Sequence, residues 1–101
     1  MRKITQDAIR AFRNGFKFKR DNTEVRILDN SRQLRLHGNV IAEYVADGGL
    51  WISSGGWQTN TTKERLNGLP NVSIYQKDFQ WYLNGEAWNG EPKYISTQNC
   101  W

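Results

Sequence analysis

Apolar and polar positions alternate regularly along most of this chain, and changes in their period mark the elements. Ile4, Ala8, Ala11 and Phe12 recur at helical spacing, which predicts a helix over residues 4–14. Thr5 is the expected cap, Asp7 complements the positive end of the helix dipole, and Ile4 is placed to staple onto Ile9. Gly15 ends the helix. Phe16, Lys17, Phe18 and Lys19 then alternate, so this segment starts a strand or runs extended along one. Both phenylalanines are expected toward the core and the lysines toward water; the alternative is rings that stack on the bases of a single-stranded nucleic acid while the lysines meet its phosphates.

From Thr23 to Ser53 the period is two. Val25 and Ile27 alternate with Glu24 and Arg26. After a turn at Asp29-Asn30-Ser31-Arg32, Leu34 and Leu36 alternate with Gln33 and Arg35, which pairs Ile27 with Leu34 and Val25 with Leu36. His37-Gly38-Asn39 turns into a strand from Val40 to Val45, and Asp47-Gly48-Gly49 turns again into Leu50, Trp51 and Ile52. The third strand is apolar on both faces, and a bulge at Gly38 would resolve its parity either way. A four-stranded meander results. Ser53-Ser54-Gly55-Gly56 reads as a flexible connector to the next helix.

The stretch from Trp57 to Trp88 has the most concordant local signals. Thr61 and Glu64 have the spacing of a capping box, in which the hydroxyl accepts from the Glu64 amide and the carboxylate reaches back. Gly68 stands where a left-handed residue closes a helix, and Pro70 prevents continuation. About two turns of helix are unstable alone in water, so Leu66 and Leu69 must dock. A two-residue loop at Lys77-Asp78 pairs Val72 with Leu83, Ile74 with Trp81 and Ser73 with Tyr82. Asn84-Gly85 is the preferred type I′ dipeptide and lays Trp88 beside Trp81. The fold class is therefore α+β: an N-terminal helix, an antiparallel β-meander, a short capped helix and a C-terminal β-hairpin. One domain is expected over 1–101, with its core at 3–90 and residues 91–101 as a tail.

The run TNTTKERLNGLPNVSIYQK followed by WYLNGEAWNG resembles a family of small, functionally uncharacterised proteins carried by bacteriophages and other mobile elements. The resemblance extends from the N-terminal helix to the second Asn-Gly and leaves out the tail. It implies a phage setting and transfers no catalytic or binding residue.

Length and composition change little in this picture. At 101 residues, with 38% hydrophobic content and five tryptophans, the chain can fill a modest core. No apolar run approaches a membrane span and no segment has a signal-peptide layout, so a protein of the bacterial host cytoplasm is expected, with no membrane partner. The sequons at Asn60 and Asn71 have no meaning there. Cys100 is the only cysteine and His37 the only histidine, with no carboxylates clustered near either, so neither a metal nor a cofactor is expected. Charge adds more. The net charge is +4, from 14 basic and 10 acidic side chains. Residues 1–20 hold seven of those bases and only Asp7 among the acids, which leaves seven and nine for the rest. The positive excess is N-terminal.

Catalytic arrangements are not apparent. There is no nucleophile with a base, no paired carboxylates, and no lysine-serine pair after Ser54-Gly55-Gly56 to make a phosphate loop. The chain is expected not to be an enzyme. Binding is the remaining chemistry. Arg10, Arg13, Lys17, Lys19 and Arg20 are candidate contacts to phosphates or an acidic partner, against the plainer reading of a solvated helix face. Trp57, Tyr75, Tyr82 and Trp88 are candidate interface aromatics, against rings that merely seal the core's edge. Trp51 and Trp81, in strands, are assigned to the core. The expectation is a non-enzymatic phage accessory protein that binds a host protein, as an inhibitor of a defence system or another host machine. The alternative is a basic nucleic-acid-binding accessory protein. Edge strands and the tail leave a dimer open.

Overall fold

The computed structural model describes residues 2–45 and 49–95. The elements run α1 (Lys3–Asn14), β1 (Phe18–Arg20), β2 (Thr23–Ile27), β3 (Ser31–Leu36), β4 (Asn39–Val45), β5 (Leu50–Ile52), α2 (Asn60–Leu66), β6 (Ile74–Lys77), β7 (Gln80–Leu83), β8 (Glu86–Ala87) and β9 (Lys93–Ile95). Six strands form one antiparallel sheet in the order β1-β2-β3-β4-β5-β9, and β6-β7-β8 form a second. The α+β class holds. The expected turn residues Asp47 and Gly48, and the tail from residue 96 with Cys100 and Trp101, lie outside the described residues.

Helix α1 starts at Lys3, one residue before the expected start, and its cap lies three residues before Thr5. Arg2 is the N-cap and supplies no side-chain cap bond. Thr5 is therefore inside the first turn and fully buried, Ile4 cannot staple from outside, and Asp7 lies past the turn where the dipole acts. The buried stripe is Thr5, Ala8, Ile9, Ala11 and Phe12. Gly15 closes the helix at φ 77°, its N–H bonded to Ala11 O. Phe16, expected inward, is instead 64% exposed beyond that turn, while Phe18 packs on the core.

The meander keeps its predicted parity but not its register. Val25 pairs with Leu34, Thr23 with Leu36 and Ile27 with Arg32, and the Leu28 N–H bonds Ser31 O at 2.9 Å. The turn is two residues, Asp29-Asn30, where four were expected. Sliding by two leaves every side chain on its face, so the hydrophobic pattern cannot tell the two registers apart. The bulge sits deeper than Gly38: Leu34 pairs with Ala42 and Arg35 with Val40, so Ile41 is the extra residue. Both Ile41 and Ala42 can then be buried, which explains the strand's two apolar faces.

Ser53-Ser54-Gly55-Gly56 is a pinned turn and not a loose connector. Ser53 Oγ donates to Val40 O at 3.1 Å, Ser54 N–H bonds Gly90 O at 2.9 Å, and Trp57 N–H bonds Ser54 O at 3.2 Å. The cap of α2 is Thr59, whose hydroxyl accepts from the Thr62 N–H at 3.2 Å, so the Thr61–Glu64 capping box does not form. Gly68 is likewise not left-handed. A Cβ there would stand 2.7 Å from Ile9 Cγ1, so the glycine lets α2 approach α1.

The second sheet repeats the two-residue slide. Ile74 pairs with Leu83, Tyr75 with Tyr82 and Gln76 with Trp81. Asp78 and Phe79 form the loop, with φ 53° and 67°. Asn84-Gly85 turns with φ 51° and 90°, and Trp88 lies 6.2 Å from Trp81, as the sequence predicts. Residues 93–95, read as tail, form β9 and pair with β5.

One face of the large sheet is covered. α1 packs on β1, β2 and β3, and α2 bridges α1, β4 and β6. Leu34, Ala42 and Ile52 point into this layer, and Trp81, Leu83 and Trp88 join the same core. The other face carries one residue from each of five adjacent strands in register: Arg26, Gln33, Glu43, Trp51 and Tyr94. No described helix packs on this outer row.

Candidate binding surfaces

The most enclosed charged side chain among the described residues is structural. Arg65 on α2 is 1% exposed. Its Nε donates to Thr23 Oγ1 at 2.9 Å, and its Nη1 to Thr5 Oγ1 at 2.7 Å and Glu64 Oε1 at 2.5 Å. The Thr5 hydroxyl donates to Glu64, and the Arg2 N–H reaches the other carboxylate oxygen at 3.2 Å. Partial burial acts to raise the Glu64 pKa. The Thr5 and Arg2 hydrogen bonds and the Arg65 charge outweigh it, so the carboxyl sits below its ordinary value. This knot ties α1, β2 and α2 together. Sequence reading assigned Glu64 to a cap and missed Arg65; local spacing carries no sign of a bond across forty residues.

The five basic candidates separate. Arg20 bonds Asp7 at 2.9 Å, and Arg10 and Lys3 stand 3.8 and 3.6 Å from the same carboxylate. The Arg20 hydrogen bond is the main reason the Asp7 pKa is lowered, with the three cationic charges reinforcing it against slight desolvation. Arg13 lies near the end of α1, where its carbonyl accepts from Arg32 at 3.0 Å. Lys17 and Lys19 differ from these. Both are exposed and make no ion pair among the described residues, and Lys19 pairs in register with Glu24 beside the outer row. Arg26 and Arg35, which the sequence did not single out, lie on that same face. Arg26 is 3.4 Å from Glu24, and Arg35 donates to Gln33 at 3.0 and 2.7 Å.

The aromatic candidates also divide. Trp57 is 65% exposed, at the mouth of a groove of about 490 Å³ lined by Leu36, His37, Asn39, Ile41 and Thr62. Tyr75 and Tyr82 are stacked at 5.2 Å and 14°, a contact the register slide creates by setting them opposite each other. Trp88 is buried, and its Nε1 donates to Glu91 O at 2.9 Å, so it belongs to the core and not to an exposed surface. Trp51 goes the other way. Leu50 and Ile52 take the inward positions of β5, and Trp51 is left 45% exposed in edge contact with Tyr94, 5.5 Å away. Strict alternation in Leu50-Trp51-Ile52 was the signal available. Phe79 caps a hairpin, 97% exposed in left-handed backbone.

Among the described residues no three of His, Cys, Asp and Glu are grouped to hold a metal ion, and no helix is long and apolar enough to cross a membrane. These features define a small two-sheet α+β protein with exposed rings and cations on its surfaces. The chain belongs to the Kyanoviridae Gp96 protein family, a phage protein family, whose model it matches over residues 1–100. That span includes the tail, which the resemblance of motifs had left out. No curated protein and no solved structure matches the chain.

Proposed function

We propose that this phage protein is a non-enzymatic accessory factor that acts in the host cytoplasm by binding a host protein. In this reading it inhibits a defence system or another host machine by occupying a surface the machine needs. The supporting observation is Trp57, a large ring left 65% exposed over a groove of about 490 Å³. Tryptophans seated beside such grooves are frequent anchors of protein interfaces. The surplus of cations argues against mimicry of DNA, so the partner surface is apolar or acidic. Affinity capture from host lysate with the full chain and with Trp57→Ala tests the reading. A host protein retained by the first and lost with the second supports it, and equal retention, or none, refutes it.

A second reading has its own support. Lys17 and Lys19 are exposed without ion pairs among the described residues; Lys19 shares a face with Arg26 and Arg35, and Lys17 lines the same surface pocket as Lys19 and Arg26, which suits contacts with nucleic-acid phosphates. A mobility-shift titration across salt tests it, because affinity built on phosphates falls steeply as salt rises.

A further inference from the structure

We infer that the outer face of the six-stranded sheet is a platform for single-stranded nucleic acid, crossed from the β1 end to the β9 end. This rests on the nucleic-acid reading and adds the surface, the strandedness and the residues. Two kinds of group share the face and are separated along it. Lys17, Lys19, Arg26 and Arg35 stand on β1, its approach, β2 and β3, and Trp51 and Tyr94 stand on β5 and β9. The register fixes their line: Arg26, Gln33, Glu43, Trp51 and Tyr94 are direct neighbours across five strands. With strands about 4.8 Å apart, that line is about 19 Å long. It suits a footprint near the small end of single-strand sites, roughly four nucleotides.

The two carboxylates on the face are already engaged. Glu24 lies 3.4 Å from Arg26, and Glu43 accepts from Gln33 at 3.3 Å. Among the described residues the lysines have no such partner, which leaves them to meet phosphates. The Trp51–Tyr94 edge contact holds both rings in place while leaving about half of each accessible. Exposed rings are useful to a strand whose bases are unstacked. A duplex hides its base faces, so a face carrying cations at one end and open rings at the other favours single strands.

Fluorescence anisotropy with the full chain tests this, using labelled oligothymidylate and oligouridylate of about 12 nucleotides and a duplex of equal length. Single strands are expected to bind at least tenfold more tightly than the duplex. The Trp51→Ala/Tyr94→Ala pair and the Lys17→Gln/Lys19→Gln pair should each weaken single-strand binding about tenfold, and the lysine pair should also flatten the salt dependence. Phe79→Ala, on the hairpin of the other sheet, should bind as the parent does. All five positions are exposed, and a circular dichroism melt of each variant confirms that it folds. Equal affinity for duplex, or indifference to the aromatic pair, overturns the platform and leaves general phosphate binding standing. Tighter binding of polyglutamate than of either oligonucleotide also overturns it, in favour of an acidic protein partner. Absence of oligonucleotide binding at low salt removes both the platform and the nucleic-acid reading, and leaves the Trp57 reading untouched.

Discussion

Arg65 Nε donates to Thr23 Oγ1 at 2.9 Å, joining two side chains that are each 1% exposed and 42 positions apart. A guanidinium withdrawn from water is tolerated only where its donors find acceptors, and here α1, β2 and α2 each supply one. Three elements of the fold therefore meet on one charged group.

That knot sets the first prediction. Thr5→Val keeps the shape of the side chain and removes both an acceptor for Arg65 and a donor to Glu64. Leaving a buried donor unsatisfied costs about 1–3 kcal/mol. Urea unfolding should show the midpoint falling with the slope unchanged; an unaltered midpoint would mean the knot contributes nothing.

The same cluster predicts a pH dependence. The folded-state pKa of Glu64 is depressed, so its contribution to stability is fully present above the ordinary value of 4.5 and is lost as pH falls through the lower folded value. Asp7, also depressed, acts in the same direction over its own range from 3.8 downward. Urea midpoints measured from neutral pH to pH 3 should fall less in Glu64→Gln than in the parent. Parallel curves would refute this.

Gly68 separates two explanations of one residue. If it were a left-handed helix stop, asparagine would replace it at little cost. Because a Cβ would meet Ile9 Cγ1 at 2.7 Å, both Gly68→Ala and Gly68→Asn should destabilise by about 1–3 kcal/mol. Ile9→Ala, which removes Cγ1, should therefore cost less in the alanine variant than in the parent in a thermal melt.

Trp57 and Trp88 were placed together as candidate interface rings, and the structure predicts opposite behaviour. Trp88→Ala should cost about 3–5 kcal/mol, because it empties part of the core and strands the Glu91 carbonyl. Trp57→Ala should change stability by no more than about 0.5 kcal/mol, as expected for an exposed position. Chemical denaturation of the two variants side by side decides it.

Phe79 holds a left-handed backbone at φ 67° with its ring in water. Phe79→Gly would create an Asp-Gly turn suited to this hairpin and relieve about 1 kcal/mol of strain. A higher melting temperature is expected; a lower one would mean the ring makes a contact that offsets its backbone cost.

Much of the site was hidden from one-dimensional reading for reasons that particular residues make plain. Lys17 and Lys19 were identified from charge, yet Arg26 and Arg35 join them only because β1, β2 and β3 lie side by side. Trp51 was assigned to the core since a strand tryptophan usually packs, although its alternation with Leu50 and Ile52 pointed outward, and the pairing with Glu43 and Tyr94 sets it in the outer row. Arg10 and Arg20 counted as positive surface until Asp7 was found between them.

Taken alone, the sequence determined what depends on near neighbours. Period set the element types, Gly15, His37-Gly38 and Asn84-Gly85 set turns through left-handed backbone, and their spacing brought Trp88 onto Trp81. Tertiary structure decided what depends on distance along the chain. A period of two specifies which face a side chain occupies but is blind to a slide of two residues, so both hairpins found their registers through packing. Packing also made Gly68 a point of close approach and drew Glu64 and Arg65 into the interior, because hydrogen bonds between distant layers leave no trace in local spacing.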